Sequence, residues 1–427
     1  MMKCFAILGV WGGLALGAAG AENWPEFRGP AGNGSAVAAR LPLHWSETQN
    51  IAWKTALHGR AWSSPVIWGA QVWLTTATED GKQLYALGVD RATGRILQDR
   101  LLFEVAKPQF AHAFNTYASP TPAIEEGRVY VTFGSPGTAC LDTASGQVLW
   151  QRRDFECNHW RGAGSSPILY QDRLFLHFDG ADFQYIVALD KATGRTLWKV
   201  NRSINYQDLG EDGKPKDGGD WRKAFSTPVL AHYGGQAELI SLGSKALYAY
   251  DPATGAEHWR VENHNCHSGS ARPVLGEDLI FYCGGFAKGE LWAVRPGGQG
   301  DVSATHVAWK NKKDVPSKPS VVLAEGCVFM VDDNGVASAV EARTGETLWR
   351  QRLGGHFSAS PILHQGRIFV FSEEGKTTVF EAARQYRELA VNQLGDGFMA
   401  SPAVAGEAWF LRSRTMLYRV EERGAEK

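Results

Sequence analysis

The side chains best suited to chemistry in this sequence of 427 residues are imidazoles and cations, set in connecting segments that need only turn residues. His112, Asn115, Asn158, His159, Arg161, Arg222, Lys223, His264, His267 and His356 each stand ahead of a Ser-Pro, Thr-Pro or related pair that recurs along the chain. Three chemistries are open to such a set. The groups can satisfy loop carbonyls and bind water in a polar channel. Arg161, Arg222, Lys223 and the imidazoles can instead hold an anionic or peptide-like ligand. Imidazoles also suit Zn or Cu, but no HxxxH or HxH spacing preorganises them here.

Other chemistry finds less support. Asp179-Gly-Ala-Asp182 and Asp332-Asp-Asn-Gly335 resemble pieces of calcium loops, yet both fall where a hairpin turn is expected and neither has the remaining ligand spacing with a terminal glutamate. Gly134-Ser-Pro-Gly137 and Gly354-Gly355 lack the strand-to-helix context of a phosphate-binding loop. No Gly-x-Ser-x-Gly elbow occurs, and no residue is assigned a catalytic role. Cys140, Cys157, Cys266, Cys283 and Cys327 form no CxxC, CxxCH or adjacent pair; up to two disulfides are open to them, with connectivity undetermined.

These residues depend for their placement on a repeat. Asp142, Gly146 and Trp150 share one spacing with Asp190, Gly194 and Trp198 and with Asp251, Gly255 and Trp259. Glu341, Gly345 and Trp349 repeat it, and Asp90, Gly94 and Gln98 give a variant without tryptophan. The physics is that of a hairpin: Asp accepts turn N–H groups, Gly takes positive φ, and the next strand carries Trp to a packing position. The Asp and Gly are thus scaffold.

A second anchor precedes each unit: Ser64-Pro65, Thr121-Pro122, Ser166-Pro167, Thr227-Pro228, Arg272-Pro273, Ser320-Val321, Ser360-Pro361 and Ser401-Pro402. Short alternating strands such as Val129-Tyr-Val-Thr-Phe133 and Leu174-Phe-Leu-His-Phe178 follow most of them. Eight anchors with four strands per unit predict an all-β chain, an eight-bladed β-propeller of four-stranded antiparallel blades. The last unit supplies only three strands, so the N-terminal strand Ile51-Ala-Trp53-Lys-Thr-Ala-Leu57 is expected to complete it and close the ring. By this topology the residues ahead of the anchors should converge on one mouth of the central channel. Asn201 to Lys223 reads as a polar surface loop, Gln98 to Tyr117 as a second insertion, and Arg295 to Gly300 as a replacement for the turn of blade five.

Composition agrees with this architecture. Glycine reaches 48, tryptophan 16 and aromatics 11%, which favours short aromatic strands and tight turns over helices. A formal charge of -1 argues against nucleic acid or any other generic polyanion as partner. Lys3, the apolar stretch Cys4 to Ala18 and Ala19-Gly20-Ala21 read as a signal peptide over 1-21, cleaved near Ala21. The expected layout is then an extended segment over 22-49, the propeller over 50-422 and a tail over 423-427. The mature chain is expected to be periplasmic or secreted, monomeric and without a transmembrane span. Cys4 is the only cysteine near the apolar stretch, which argues against a lipid anchor.

The repeated Ala-x-Asp-x-x-Thr-Gly-x-x-x-Trp type segment resembles the tryptophan-docking repeat of quinoprotein propellers. The head, Trp24-Pro-Glu-Phe-Arg28-Gly-Pro-Ala-Gly-Asn-Gly34 with Leu41-Pro-Leu-His-Trp45, is similar to that of exported PQQ-like repeat, or BamB-like, propellers. Two functions are implied by that likeness. A BamB-like protein is a non-catalytic scaffold with protein or peptide partners in envelope assembly, and carries no cofactor. A quinoprotein dehydrogenase holds pyrroloquinoline quinone (PQQ) with Ca²⁺ at the axis, beside an adjacent cysteine pair and a carboxylate base, and oxidises an alcohol or sugar. No adjacent cysteines exist here, and neither the Ca²⁺ ligands nor the base can be placed. The binding module is the reading adopted, with the dehydrogenase as its alternative.

Overall fold

A computed structural model of the chain describes residues 22–423 apart from 39, 287 and 288. The expected signal peptide and residues 424–427 of the tail lie outside the described residues. Eight antiparallel sheets follow one another along the chain, as the repeat predicts. In the third, Ile168–Tyr170, Arg173–Asp179, Gln184–Asp190 and Thr196–Asn201 pair in sequence order, and the other blades repeat this meander. The eighth is built from Ala403–Ala405, Ala408–Arg412 and Met416–Glu421, and Ile51–Ala56 supplies its outer strand, pairing Lys54 with Tyr418 and Thr55 with Leu417. The first and last strands of the ring thereby share one sheet.

Burial is greatest in the middle strands of the blades and falls at the outer edge. Every residue of Ala246–Tyr250 and of Cys327–Val331 is buried on both faces, whereas Val148–Arg152 at an outer edge is exposed or half-buried. The apolar core is accordingly divided into clusters that straddle neighbouring blades, such as the one uniting Ile186 and Phe175 of blade three with Leu239 and Tyr248 of blade four.

The repeat's tryptophan is the outer clasp between blades. Trp150 Nε1 donates to Lys191 O at 3.0 Å, Trp198 to Pro252 O at 3.2 Å and Trp349 to Ala383 O at 3.0 Å, each acceptor lying in the Asp-to-Gly turn of the following blade or its equivalent. Trp53 does the same from blade eight to blade one, reaching Arg91 O at 3.1 Å. The turn glycine lies directly under the indole: a Cβ on Gly194, whose φ is +72°, would sit 2.7 Å from the Trp150 ring. Trp259 departs from the pattern. Blade five has no such turn, so the Trp259 indole bonds Glu238 Oε1 of its own blade at 3.1 Å. The replacement segment adds Gly300–Asp301 as a parallel fifth strand beside Glu257–Glu262 and then forms the short helix Ser303–His306.

The inner clasp is a belt of hydroxyls. The backbone N–H of Ser64 donates to Thr121 Oγ1, that of Thr121 to Ser166 Oγ and that of Ser166 to Thr227 Oγ1, at 2.9 to 3.0 Å. After blade five the belt resumes: Arg272 N to Ser320 Oγ, Ser320 N to Ser360 Oγ, Ser360 N to Ser401 Oγ, and Ser401 N back to Ser64 Oγ. The anchor residue of each blade is thus tied to the next around the axis, with one interruption where Arg272 replaces a hydroxyl.

The head segment closes one end of the channel. Trp24 exchanges two backbone hydrogen bonds with Ile67, Pro25 O accepts from Ile124 N, and Gly34 O accepts from Leu363 N, so the segment crosses from blade one to blade seven. Each of these contacts lies three residues beyond a belt residue, deeper along the axis. Arg272 turns its guanidinium onto this segment, bonding Phe27 O at 2.5 Å and Glu26 Oε1 at 2.8 Å, while Arg28 reaches Val321 O at 2.6 Å.

Equilibrium denaturation tests the docking contact. Gly69 also has positive φ, at +55°, but a Cβ there meets nothing within 4 Å. Gly69→Ala should lose about 1 kcal/mol from backbone strain alone. Gly194→Ala should lose roughly 1–3 kcal/mol more, because the added carbon must displace the indole. Equal losses at the two positions would show that the indole does not press on the turn.

Candidate functional site

A cavity of about 270 Å³ lies on the axis, above the head segment, with Phe27 at its floor. Two tiers of side chains line it, and strand geometry explains both. The inner segment of each blade is extended as it enters, so residues two apart point the same way. The lower tier is the hydroxyl belt. Two residues earlier stand Trp62, Ser119, Gly164, Phe225, Ser270, Lys318, Ser358 and Met399, one from each blade, and all line the cavity.

Loops raise the walls. The Gln98 to Tyr117 insertion supplies His112, Phe114 and Asn115; Asn115 Nδ2 ties it to Arg161 O at 3.0 Å, and Trp62 Nε1 donates to Phe114 O at 2.9 Å. The Asn201 to Lys223 insertion is a polar surface loop in its middle, where residues 211–214 and 216–218 are exposed, but its flanks are anchored. Ile204 and Tyr206 are buried, Arg222 grips Asp208 through two bonds of 2.9 and 2.6 Å, and 3₁₀ turns over Lys216–Arg222 bring Asp220, Trp221 and Lys223 to the mouth. The paired guanidinium and carboxylate give this long insertion the internal partner that its composition did not reveal.

Of the ten residues expected at the mouth, His112, Asn115, Arg161, Lys223 and His267 line the cavity. Asn158 lies in an adjoining groove with Phe110, Trp160, His112 and Arg161. The other four are held elsewhere. Arg222 is committed to Asp208 and stacks on Tyr206. His264 pairs with Glu262 at 3.0 Å and His356 with Glu374 at 3.0 Å, both on the surface. His159 is buried behind the wall, where its Nε2 accepts from Ser135 N at 3.0 Å. Position ahead of an anchor fixes the face of the propeller but not distance from the axis, and local carboxylates capture the groups that lie farther out.

The cavity is cationic and apolar. Among the described residues Asp220 is its only lining carboxylate, ion-paired to Lys223 and 3.9 Å from Arg161 Nε. Lys318 lies 3.0 Å from Glu373 and faces the Phe114 ring. Burial holds Lys223 below the ordinary ammonium range, and burial, with Lys223 nearby, pushes His267 down to about 4. His267 is therefore a neutral ring at pH 7, packed 4.3 Å from Trp221. Trp62, Phe225, Phe286 and Lys318 escaped the residue-type search, although the two-residue offset from each anchor marks three of them.

The calcium-like segments are structural. Asp179 is fully buried between His177 and Arg202, with Arg202 Nε at 3.0 Å, and Asp332 caps its own turn through Asn334 N and Val336 N. All five described cysteines are free and buried. Burial raises the Cys140 and Cys266 thiols to about 12, which leaves them unreactive at neutral pH.

A family profile described as outer membrane protein assembly factor BamB matches residues 40–153, 89–215, 182–302 and 287–390. BamB of Yersinia pestis is 21% identical over 293 residues, 67% of each chain. The dehydrogenase subunit of the quinone alcohol dehydrogenase of Acetobacter aceti is 27% identical over 271 residues, covering 57% of this chain but only 33% of that protein. Among solved structures, a europium-containing methanol dehydrogenase superposes with a TM-score of 0.66 at 12% identity, covering 94% of this chain and 89% of that one. At that identity the superposition speaks for fold alone.

The wall behind the cavity carries a pH dependence. Burial pushes His159 down to about 4, so the folded state resists a proton that the unfolded chain accepts near 6.5. Stability from this group is full above pH 6.5 and falls as pH drops toward 4, by about 3 kcal/mol. His159→Gln should remove about 2.5 kcal/mol of the difference between unfolding free energies at pH 7 and pH 4.5. An unchanged difference would place a protonated imidazole in the folded wall.

Proposed function

This chain belongs to the repeat-propeller family described as outer membrane protein assembly factor BamB, and from that premise we propose that it is an exported, non-catalytic binding module of the cell envelope. In this reading cleavage near Ala21 releases a monomer to the periplasm, residues 22–49 stopper the channel, and the ring over 50–422 presents one face to protein or peptide partners. Among the described residues no helix is long and apolar enough to cross a membrane.

The observation that carries the reading is the mouth itself. Phe110, His112 and Phe114 pack in a row of edge-on and tilted rings on one side, and Trp221, His267 and Phe286 on another. Phe110 is 66% exposed and Phe114 57%, an arrangement with no use inside a monomer. Large exposed aromatics gathered around a cleft with Arg161 and Lys318 are what a polypeptide-binding surface requires.

The alternative is a PQQ-dependent dehydrogenase oxidising an alcohol or sugar, by likeness to the quinone alcohol dehydrogenase. Trp62 and Phe225 would offer apolar surface to a planar quinone, and Arg161 and Lys223 would meet its carboxylates. Ca²⁺ does not fit the cavity. Its one carboxylate, Asp220, is held by Lys223, and among the described residues no group of three or more His, Cys, Asp or Glu side chains is arranged to hold a metal ion. The donor set thus favours binding over quinone chemistry.

Two measurements check this. With p-benzoylphenylalanine in place of Phe114, irradiation of native cells should yield discrete adducts with envelope polypeptides, while the same probe at Leu149 on the outer rim should not. Equal labelling from both positions would discard the mouth as the partner face. Purified protein given PQQ and Ca²⁺ should show no thermal shift and no dye reduction with alcohols or sugars; saturable binding with turnover would transfer the protein to the dehydrogenases.

A further inference from the structure

The belt leaves a donor set unused. Each of its seven hydroxyl oxygens accepts a backbone N–H from the neighbouring blade. A hydroxyl also carries one proton to donate. Among the described residues none of the seven donates to any protein acceptor, although neighbouring hydroxyls do: Ser63 Oγ gives its proton to Thr75 O and Ser226 Oγ to Ala271 O. Six of the seven, all but Ser320, line the axial cavity, and all are at most 4% exposed. Accepting an N–H also polarises each O–H toward stronger donation.

We infer that the belt is an oxyanion receptor, which seats the carboxylate of an incoming ligand end-on at the bottom of the axial cavity. The inference rests on reading the mouth as a binding face and names the chemistry that face selects.

Charge beneath the belt supports it. Arg28 and Arg412 are buried, and among the described residues neither meets a carboxylate. Arg28 bonds Asn33 O and Val321 O, and Arg412 bonds Ser63 O, Ser63 Oγ and Thr75 O. Both acceptors Val321 and Ser63 adjoin belt residues, so the two guanidinium groups are held against the belt's edge. Burial lowers each to about 9, which records the cost of these unneutralised charges. An anion on the axis would offset it. Arg161, Lys223 and Lys318 also line the cavity, although Lys223 is paired with Asp220 and Lys318 with Glu373, so the support from charge rests on Arg28 and Arg412. Trp62, Phe225 and Phe286 complete the description of the ligand: its body is apolar or aromatic and its head is a carboxylate. A free aryl acid and the terminal carboxylate of a peptide share that chemistry.

Calorimetric titration of the purified full chain separates the sources. Phenylacetate is compared with phenylacetamide, and a pentapeptide with a free terminal carboxylate with its amidated twin. At least one carboxylate should saturate and bind about tenfold or more tightly than its amide. Saturation by phenylacetate alone assigns a small acid, and by the peptide alone a chain terminus. Ser166→Ala should weaken binding several-fold; because that hydroxyl also accepts Thr121 N, a second variant leaves the belt intact. Ser270→Asp places a competing carboxylate in the upper tier and should weaken binding about tenfold, with melting temperature and circular dichroism retained. Amides that match their acids, a fully binding Ser270→Asp protein, or no saturation by either acid below about 10 mM would overturn the receptor. Cross-linking at Phe114 is independent of this titration, so a failed belt with intact cross-linking leaves the binding face standing.

Discussion

Every sheet in this molecule has two edges, and the structure depends on their being closed by the neighbouring blade at two radii. Near the axis the closure is a hydroxyl accepting an N–H from the next blade; at the periphery it is an indole resting on a turn glycine and donating to a turn carbonyl. Either contact alone contributes on the order of 1 kcal/mol, the usual net value of one hydrogen bond. Repeated around a circle, however, they act cooperatively, because no blade can leave without breaking both of its interfaces. The shared apolar clusters between blades supply the bulk of the stabilisation, and the two clasps set the registration.

The interruption of the inner clasp is as informative as the clasp. Arg272 stands where other blades carry a hydroxyl, and it spends its donors on Pro228, Phe27 and Glu26. One position thus exchanges a link in the belt for a fastening of the head segment, which converts an open channel into a cavity with a floor. Burial raises the Glu26 carboxyl even with Arg272 beside it, so the fastening lies in a dehydrated layer where unmatched charge is expensive. Floor, belt and cationic wall are parts of one arrangement.

Family likeness acts on this arrangement unevenly. The docking repeat belongs to the scaffold and is shared by binding proteins and quinone dehydrogenases, so it carries no chemistry of its own. What differs between such proteins is the lining, and here, among the described residues, the one carboxylate on it, Asp220, is paired with Lys223. Under the proposed binding role, the exposed aromatics and the neutral His267 ring would suit the mouth to apolar and anionic groups.

The repeat spacing determined the number of blades, the four-stranded meander and the closing role of Ile51–Ala56, because alternation, turn glycines and docking tryptophans act over a few residues and are written in consecutive positions. The same anchors also mark the cavity tiers, by the two-residue period of an extended chain. Tertiary structure alone decided radial distance. His264 and His356 stand in positions similar to His267 along the chain, yet both pair with carboxylates on the surface; Glu262 is a local partner two residues before His264, whereas Glu374 reaches His356 from 18 residues away and leaves no local signal. It alone decided, too, that Asn201 to Lys223 folds against its own Asp208–Arg222 pair, and that Arg28 and Arg272 meet 244 residues apart in sequence around the axis, since only closure of the ring brings the head segment beneath the belt.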